Sequence, residues 1–533
     1  MTAATAYPPA AGGSHDPSSS GVRGGLRFRM RPVQAALLFA VVVLLLSPAF
    51  IGEDRRDHLR SYVAATIQKT GPQQIAQPTG GLDPRVVPLT LEARLEHFLS
   101  RPALDHGESE IVNAYQCPHY TFSRDTYFFH EADGGARIER WKKLDKNAVK
   151  LARSKIIEYF KELDKKKVPL IWDRSMEKDT PAHLRRGIIY TGGGHWKDIE
   201  RLRWSLDVLR NVLKSTLPVE IYHYEGEFSD EKLRKEFIDD YGVTLVQSSA
   251  KKTDGKAWQI KNAAFVDTRF TQFVYMDSDN IPLSDPAELF ESVEFKQGGS
   301  VFWPDLNKDH PENAIWRVLG RDCSDEHWPA ESGQVLFDKS ANNGLNLAVL
   351  HLSNHMMLES DFYGARASPR LQTPAVHPLT IQLTISATRG YQRMDARSDP
   401  DFFCGHSLLQ WALTPPSAKH DANFEPKPGF LHTILLKARY GLQPDKLLSH
   451  VKRPRLNQIN DERLVRTLYQ FTGECFAIDL KGPDGAPNAS NSYGDGQGVE
   501  IQTFEEVLSY KPEVWEWIRD NSKKIAGINV PGE

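Results

Sequence analysis

Between residues 186 and 276 the chain alternates short β-prone apolar runs with amphipathic helical stretches, and few folds accept that alternation. Ile188, Ile189 and Tyr190 read as a buried strand ending in the glycine-rich turn "TGGGH". Ile199, Leu202, Leu206, Leu209 and Leu213 then share one face of a helix, which Pro218 ends. "VEIYHY" (219–224) follows as a strand, 230–240 as a charged helix, "VTLVQ" (243–247) as a strand and 256–267 as a helix, before the apolar run "FVYM" (273–276). Strands joined by helical crossovers lie parallel in a sheet covered on both faces. The sequence therefore predicts an α/β fold, a doubly wound, mainly parallel sheet flanked by helices. Upstream, Val149, Ala152, Ile156, Phe160 and Leu163 recur at helical spacing in a Lys-rich segment, an amphipathic surface helix.

The run "FVYM" leads directly into "DSDNIPLSDP" (277–286). Asp277 and Asp279 sit just past the carboxyl end of a strand, where open α/β sheets bind ligands. Buried carboxylates cost several kcal/mol unless paired or metal-bound, so two at a strand end call for a cation. A solvated acidic turn is the plain alternative, and D-S-D by itself does not choose. The phosphatase pattern D-x-D-x-T is excluded, because Ile281 stands two after Asp279. "YTGGGH" (Tyr190 to His195) is a strand-to-helix turn of the kind that brings backbone N–H groups to phosphate. It is neither G-x-G-x-x-G nor a Walker loop, and an ordinary tight turn fits it equally well.

Charge and cysteines narrow the classes. Lys+Arg 66 against Asp+Glu 69 leaves a net −3 over 533 residues, with no basic run long enough for nucleic acid. Cys117, Cys323, Cys404 and Cys475 form no C-x-x-C pair and no zinc spacing, and fit either two disulfides or four buried thiols. Residues 1–31 are rich in Gly, Ser, Pro and Ala and are expected to be a disordered cytoplasmic tail. Arg23, Arg27, Arg29 and Arg31 then precede an apolar stretch, 32–52, of the roughly 20 residues a bilayer-spanning helix needs. Arginines in front and mixed charges behind (Glu53 to Asp57) orient this segment as a signal-anchor with the N-terminus in the cytoplasm. A cleaved signal peptide competes, though the stretch before the apolar segment is long for one. In either case the remainder is lumenal: a stem over 53–107 with one helical patch near Leu91 to Phe98, then a folded domain over 108–529.

Taken together, "AWQIKNAAFVDTRFTQFVYMDSDNIPLSDP", "FWPDL" (302–306) and "ESGQVLFDK" (331–339) resemble the fungal type II Golgi α-mannosyltransferases of glycosyltransferase family 71. "RGIIYTGGGHWKDIERLRWSLDVLRNVLKSTLPVEIYHYEGE" fits the same family's opening, and "FLHTILLK" (430–437) is a weaker tail. The resemblance implies a GT-A-like fold, GDP-mannose as donor, a mannose-containing glycan as acceptor and Mn²⁺ or Mg²⁺ held by D-x-D, which oxygen donors suit. It places the chain in the Golgi membrane as a single-pass type II protein and leaves room for a Golgi glycosyltransferase complex. By the same resemblance Asp279 ligates the metal, Asp277 serves metal or ribose, and His432 is a third ligand unless it is an ordinary core histidine. Tyr190, Thr191 and Gly192 to Gly194 border guanosine, and Lys261 meets the nucleotide sugar unless it is a solvated surface lysine. Trp303 and Asp305 of "FWPD", with Glu331, Ser332 and Gln334 on a loop before "VLFD", face the sugars, Glu331 in a catalytic role; a helix cap is the alternative for that loop.

The pattern breaks after "DFYG" (361–364). The family leads there to a Gly-Asp-Lys-Asp/Glu-Thr-Phe segment opening a helix near the acceptor. This chain has an irregular insertion over 365–400, and its nearest echo, Asp399 to Phe403, lacks the Lys and Thr. Two functions stay open on the sequence: a retaining α-mannosyltransferase, α-1,2 or α-1,3, and a membrane-tethered, non-catalytic glycan-binding or complex subunit.

Overall fold

The computed structural model describes, in the main, residues 90–116, 139–251, 259–304, 312–323, 330–358, 403–434, 448–454 and 499–527, with strands at 384–389, 468–472 and 475–479. The tail, the apolar segment 32–52 and most of the stem lie outside them. Among the described residues no helix is long and apolar enough to cross a membrane.

The first sheet contains β1 (Arg186–Thr191), β2 (Val219–His223), β3 (Val243–Gln247), β4 (Gln272–Met276), β6 (Ser300–Pro304) and β7 (Ala330–Asp338) in the order β3-β2-β1-β4-β7-β6. The four strands β3, β2, β1 and β4 run parallel, as expected. β7 is antiparallel to β4, and β6 to β7. Its strands read as unbroken apolar runs because both faces are covered. Ile188, Tyr190, Ile221, Val274 and Met276 pack on Leu202 and Leu206 of the helix Trp196–Asp207. The alternate residues Ile189, Tyr222, Phe273 and Tyr275 pack on Ile260, Ala264 and Phe265 of the helix Gln259–Asp267. The period of two has simply sorted each strand between two cores. Chain order reverses across β1 and β4, so the crevice beyond their carboxyl ends is the switch point at which such sheets take ligands.

A second, antiparallel sheet was not foreseen. It comprises β8 (Thr384–Arg389), β9 (Phe403–Trp411), β11 (His450–Pro454), β12 (Leu468–Thr472), β13 (Cys475–Asp479) and β14 (Val499–Thr503). β10 (Pro428–His432) pairs both with β9 and with the short strand β5 (Asn280–Pro282). The D-S-D turn is thus the link by which the chain leaves β4 of the first sheet and enters β5 beside the second.

Two expectations are corrected here. The insertion 365–400 is not wholly irregular, since Thr384–Arg389 pairs antiparallel with both β9 and β11. "TISATR" alternates, but over only six residues, too few to stand out among Arg, Ser and Pro. The rest of the insertion lies outside the described residues. Phe403, the last residue of its echo of the family segment, opens β9. The packed part also reaches back into the expected stem. The helix Leu91–Ser100, capped by Thr90, buries Leu91 among Trp141, Ile156, Phe160 and Trp316. Arg153 fastens this layer by donating to the carbonyls of Val318 (2.9 Å), Arg317 (2.7 Å) and Pro102 (3.1 Å).

Of the cysteines, Cys323 is disulfide-bonded, which removes the free-thiol alternative for it.

Candidate active site

Two carboxylates and an imidazole converge where β4 gives way to β5. Asp277 continues the sheet, its N–H donating to Gly333 O on β7 at 2.8 Å. Its carboxylate accepts the phenolic proton of Tyr275 and pairs with Lys261 Nζ at 2.7 Å. Because the phenol gives its own proton to Asp277, the hydroxyl of Thr191, 3.0 Å away, donates to the phenol oxygen. Burial, and then the adjacent Asp277, raise Tyr275 well above the usual phenol range, so it remains a donor. Lys261 reaches over from the helix Gln259–Asp267, its ammonium 5.5 Å above the Tyr275 ring.

Asp279 is buried, at 5 % exposure, and its backbone carbonyl accepts both the N–H and the hydroxyl of Thr433 at 3.0 Å. These bonds fix the turn against the end of β10. The β5–β10 register sets His432 opposite Asn280, which brings its Nε2 to 3.2 Å from Asp279 Oδ1. On the other side, His432 Nδ1 lies 3.0 Å from Glu331 Oε1, and that oxygen also accepts the Gly333 N–H at 2.7 Å. Burial alone would strip the proton from His432, but Glu331 and Asp279 flank it and raise it to about 10. Burial pushes Glu331 up in turn, and the facing imidazole outweighs that and holds it below the usual carboxylate range.

The ligating atoms of Asp277, Asp279 and His432 lie within 4.8 Å of one another. Two carboxylate oxygens and one imidazole nitrogen suit Mn²⁺ or Mg²⁺, with the imidazole favouring the transition metal. Glu331 behind Nδ1 is the outer carboxylate that metal-bound histidines characteristically have. The donor set therefore fits a divalent cation. Both nitrogens of His432 face buried carboxylates, a setting that suits a metal ligand and a buried ion-pair partner alike.

The other expected residues separate into those that reach the crevice and those that do not. Gly192 and Gly193 are half-buried at the end of β1, and Gly193 has φ 137°, where a Cβ would stand 2.5 Å from the Phe228 ring. Lys261 is no solvated surface lysine, since it is paired with Asp277. Tyr190, expected beside guanosine, is fully buried in the core, its hydroxyl 2.7 Å from Ser205 Oγ. Trp303, expected on the sugar, is 1 % exposed; its indole N–H donates to Trp411 O at 2.9 Å and its ring meets Phe430 edge-on. Asp305 lies outside the described residues. Glu331 to Gln334 are not a loop or a helix cap but part of β7. Gln334 is buried, its carbonyl accepting from Asn280 Nδ2 at 2.6 Å, and only Ser332 of the four is exposed. Tyr275 was missed as a site residue although its position two before Asp277 places both on one face of the strand. Gly333 was missed too: a Cβ there would stand 2.3 Å from His432 Nδ1.

A family model described as a mannosyltransferase (Mannosyl_trans3) matches residues 185–320. The matched segment carries both aspartates, the glycine turn and Lys261, whereas Glu331 and His432 come from beyond it. The α-1,2-mannosyltransferase MNN24 of Candida albicans is 35% identical over 144 residues, 25% of this chain and 19% of that protein. MNN21 of the same organism is 27% identical over 177 residues, 30% of this chain and 26% of that protein. MNN2 of Saccharomyces cerevisiae, also an α-1,2-mannosyltransferase, is 25% identical over 127 residues, 22% of this chain and 21% of that protein. The matched stretch thus spans from 19% to 26% of these relatives' length. Among solved structures, the glycosyltransferase GlyE of Streptococcus pneumoniae TIGR4 is 14% identical with a TM-score of 0.23, over 34% of this chain and 45% of its own. The galactosyltransferase LgtC is 10% identical with a TM-score of 0.25, over 33% of this chain and 64% of its own. The fold rests on its own strand order rather than on these likenesses.

Proposed function

We propose that this protein transfers mannose from GDP-mannose to a mannose hydroxyl of a glycan, forming an α-1,2 linkage with retention, in a Golgi lumen where the segment 32–52 anchors it. The observation that carries the reading is the convergence of Asp277, Asp279 and His432 within 4.8 Å at the carboxyl end of β4. The names of the relatives, all α-1,2-mannosyltransferases, support mannose and that linkage. The disulfide at Cys323 suits an oxidising lumen.

Asp277, Asp279 and His432 would hold the cation, with Glu331 orienting the imidazole. When bound, the cation supplies Lewis-acid neutralisation of the charge growing on the departing diphosphate. The glycine turn offers backbone N–H groups at the opening of the helix Trp196–Asp207, where phosphate is favoured. The bond from the mannose anomeric carbon to GDP breaks as the bond to the acceptor oxygen forms on the same face. The acceptor's proton passes to the departing diphosphate oxygen, so no side-chain nucleophile is required. Glu331 is set behind the imidazole, its Oε1 facing His432 Nδ1 and accepting the Gly333 N–H, and is given a positioning role rather than a nucleophilic one. Ser332 is the residue of this strand left exposed to meet a sugar.

The test is incubation of the purified chain with GDP-mannose, Mn²⁺ and α-mannobiose, with linkage analysis of the product and Mn²⁺ binding followed by electron paramagnetic resonance. An α-1,2-linked trisaccharide and stoichiometric Mn²⁺ are expected. An α-1,3 product would correct the linkage. GDP binding without transfer would instead assign a binding subunit.

A further inference from the structure

We infer that Lys261 and a divalent cation compete for Asp277, so that cation binding turns the Lys261 ammonium from its carboxylate partner to the incoming nucleoside diphosphate. The inference rests on the metal-dependent reading above and adds an order to it, cation before diphosphate.

Three observations carry it. Lys261 Nζ lies 2.7 Å from Asp277, and the two side chains are only 19% and 16% exposed. A pair so withdrawn from water is weakly screened, so its partners respond strongly to a new charge. The same carboxylate completes the set with Asp279 and His432 within 4.8 Å, so a dication bound there stands next to the ammonium. The Tyr275 hydroxyl, itself held by Thr191, anchors Asp277 in place. The carboxylate therefore cannot swing to follow Lys261, and the lysine must be the partner that moves. Its long flexible stem allows that, and it reaches into the crevice at the switch point between β1 and β4 where an anionic ligand would lie. A diphosphate brought by the cation would then accept the released ammonium, and each ligand would strengthen the other.

The experiment measures Mn²⁺ affinity by electron paramagnetic resonance and GDP affinity by calorimetry on the full chain in detergent, once Mn²⁺ binding by the parent is established. That prior measurement tests the metal reading itself, so the two failures are separable. Lys261→Met, which keeps the aliphatic stem, is expected to bind Mn²⁺ about fivefold more tightly in the absence of nucleotide, the effect of one partly buried ion pair. With Mn²⁺ saturating, the same variant is expected to bind GDP about tenfold more weakly. Introduced into Asp277→Asn, Lys261→Met should leave Mn²⁺ affinity unchanged, since the shared partner is gone. Unchanged or weaker Mn²⁺ binding by Lys261→Met would overturn the inference, because a lysine that merely orients Asp277 gives that result. A gain that persists in the Asp277→Asn background would also overturn it, since it would report charge acting through space.

Discussion

Gly333 has no side chain, and the site depends on that. His432 Nδ1 occupies the space a Cβ would need, and the Gly333 N–H and carbonyl serve Glu331 Oε1 and the Asp277 N–H respectively. Gly333→Ala should therefore push the imidazole off the Glu331–Asp279 line, costing about 1–3 kcal/mol of stability as overpacking does. Mn²⁺ affinity should fall by more than the thermal shift accounts for; a variant that melts early yet binds Mn²⁺ as the parent does would dissociate Gly333 from the site. His432 gives a pH dependence. With Glu331 and Asp279 facing it, and the Asp277–Lys261 pair beyond, it titrates at about 10, so a cation entering at Nε2 must displace a proton. Mn²⁺ affinity should rise by up to about tenfold per pH unit between pH 6 and 8, and a flat resonance titration would oppose His432 as a ligand. The sign for folding is opposite. In EDTA the raised imidazole contributes stability that is complete below about pH 6.5 and is lost as pH climbs through about 10.

At the scale of elements, sequence patterning succeeded where apolar strands alternate with amphipathic helices and failed where that alternation stops. The helices and parallel strands from 186 to 276 were legible because apolar positions recur at 3.6 or run continuously between turn residues. The antiparallel sheet was not, since no strand–helix alternation announces it and β11 pairs with β8 and β14, both distant along the chain. Asp277, Asp279 and His432 were legible from their pattern and family likeness, but orientation was not. Within β7, alternation decides that Glu331 and Gly333 face His432 while Ser332 faces solvent, and a loop assignment discards that information. Trp303 is the sharpest case: an aromatic in a motif-like string is a core residue because β6 turns it onto Phe430 and the Trp411 carbonyl. Trp303→Ala should cost about 3–5 kcal/mol in thermal or urea unfolding, as removal of a buried aromatic does. Ser332→Ala should stay within about 0.5 kcal/mol of the parent while weakening transfer. Should Trp303→Ala leave stability intact and abolish sugar binding, the core assignment would be reversed.

At the scale of the whole molecule, the proposed cation site is a joint between two sheets. Asp277 belongs to the end of β4 in the first sheet, and His432 to β10 of the second, with Asp279 on the turn between β4 and β5. Only folding brings them together, because 153 residues separate Asp279 from His432 along the chain. An ion binding these three groups therefore binds the native state and has little purchase on the unfolded one, so it stabilises by mass action. At a hundredfold excess over its dissociation constant Mn²⁺ should add about 2.7 kcal/mol, seen as a rise in melting temperature that saturates with Mn²⁺ and reverses with EDTA. Asp279→Ala and His432→Ala should each abolish most of that rise. They should differ without metal. Asp279→Ala leaves His432 still paired with Glu331, whereas His432→Ala leaves Glu331 and Asp279 buried with no imidazole between them, and breaking a buried pair from one side costs about 3–5 kcal/mol. The contrast separates a joint closed by an ion from one closed by the imidazolium alone. A melting temperature indifferent to Mn²⁺ in the parent, with His432→Ala still strongly destabilised, would mean that His432 joins the sheets as a buried ion-pair partner and nothing more.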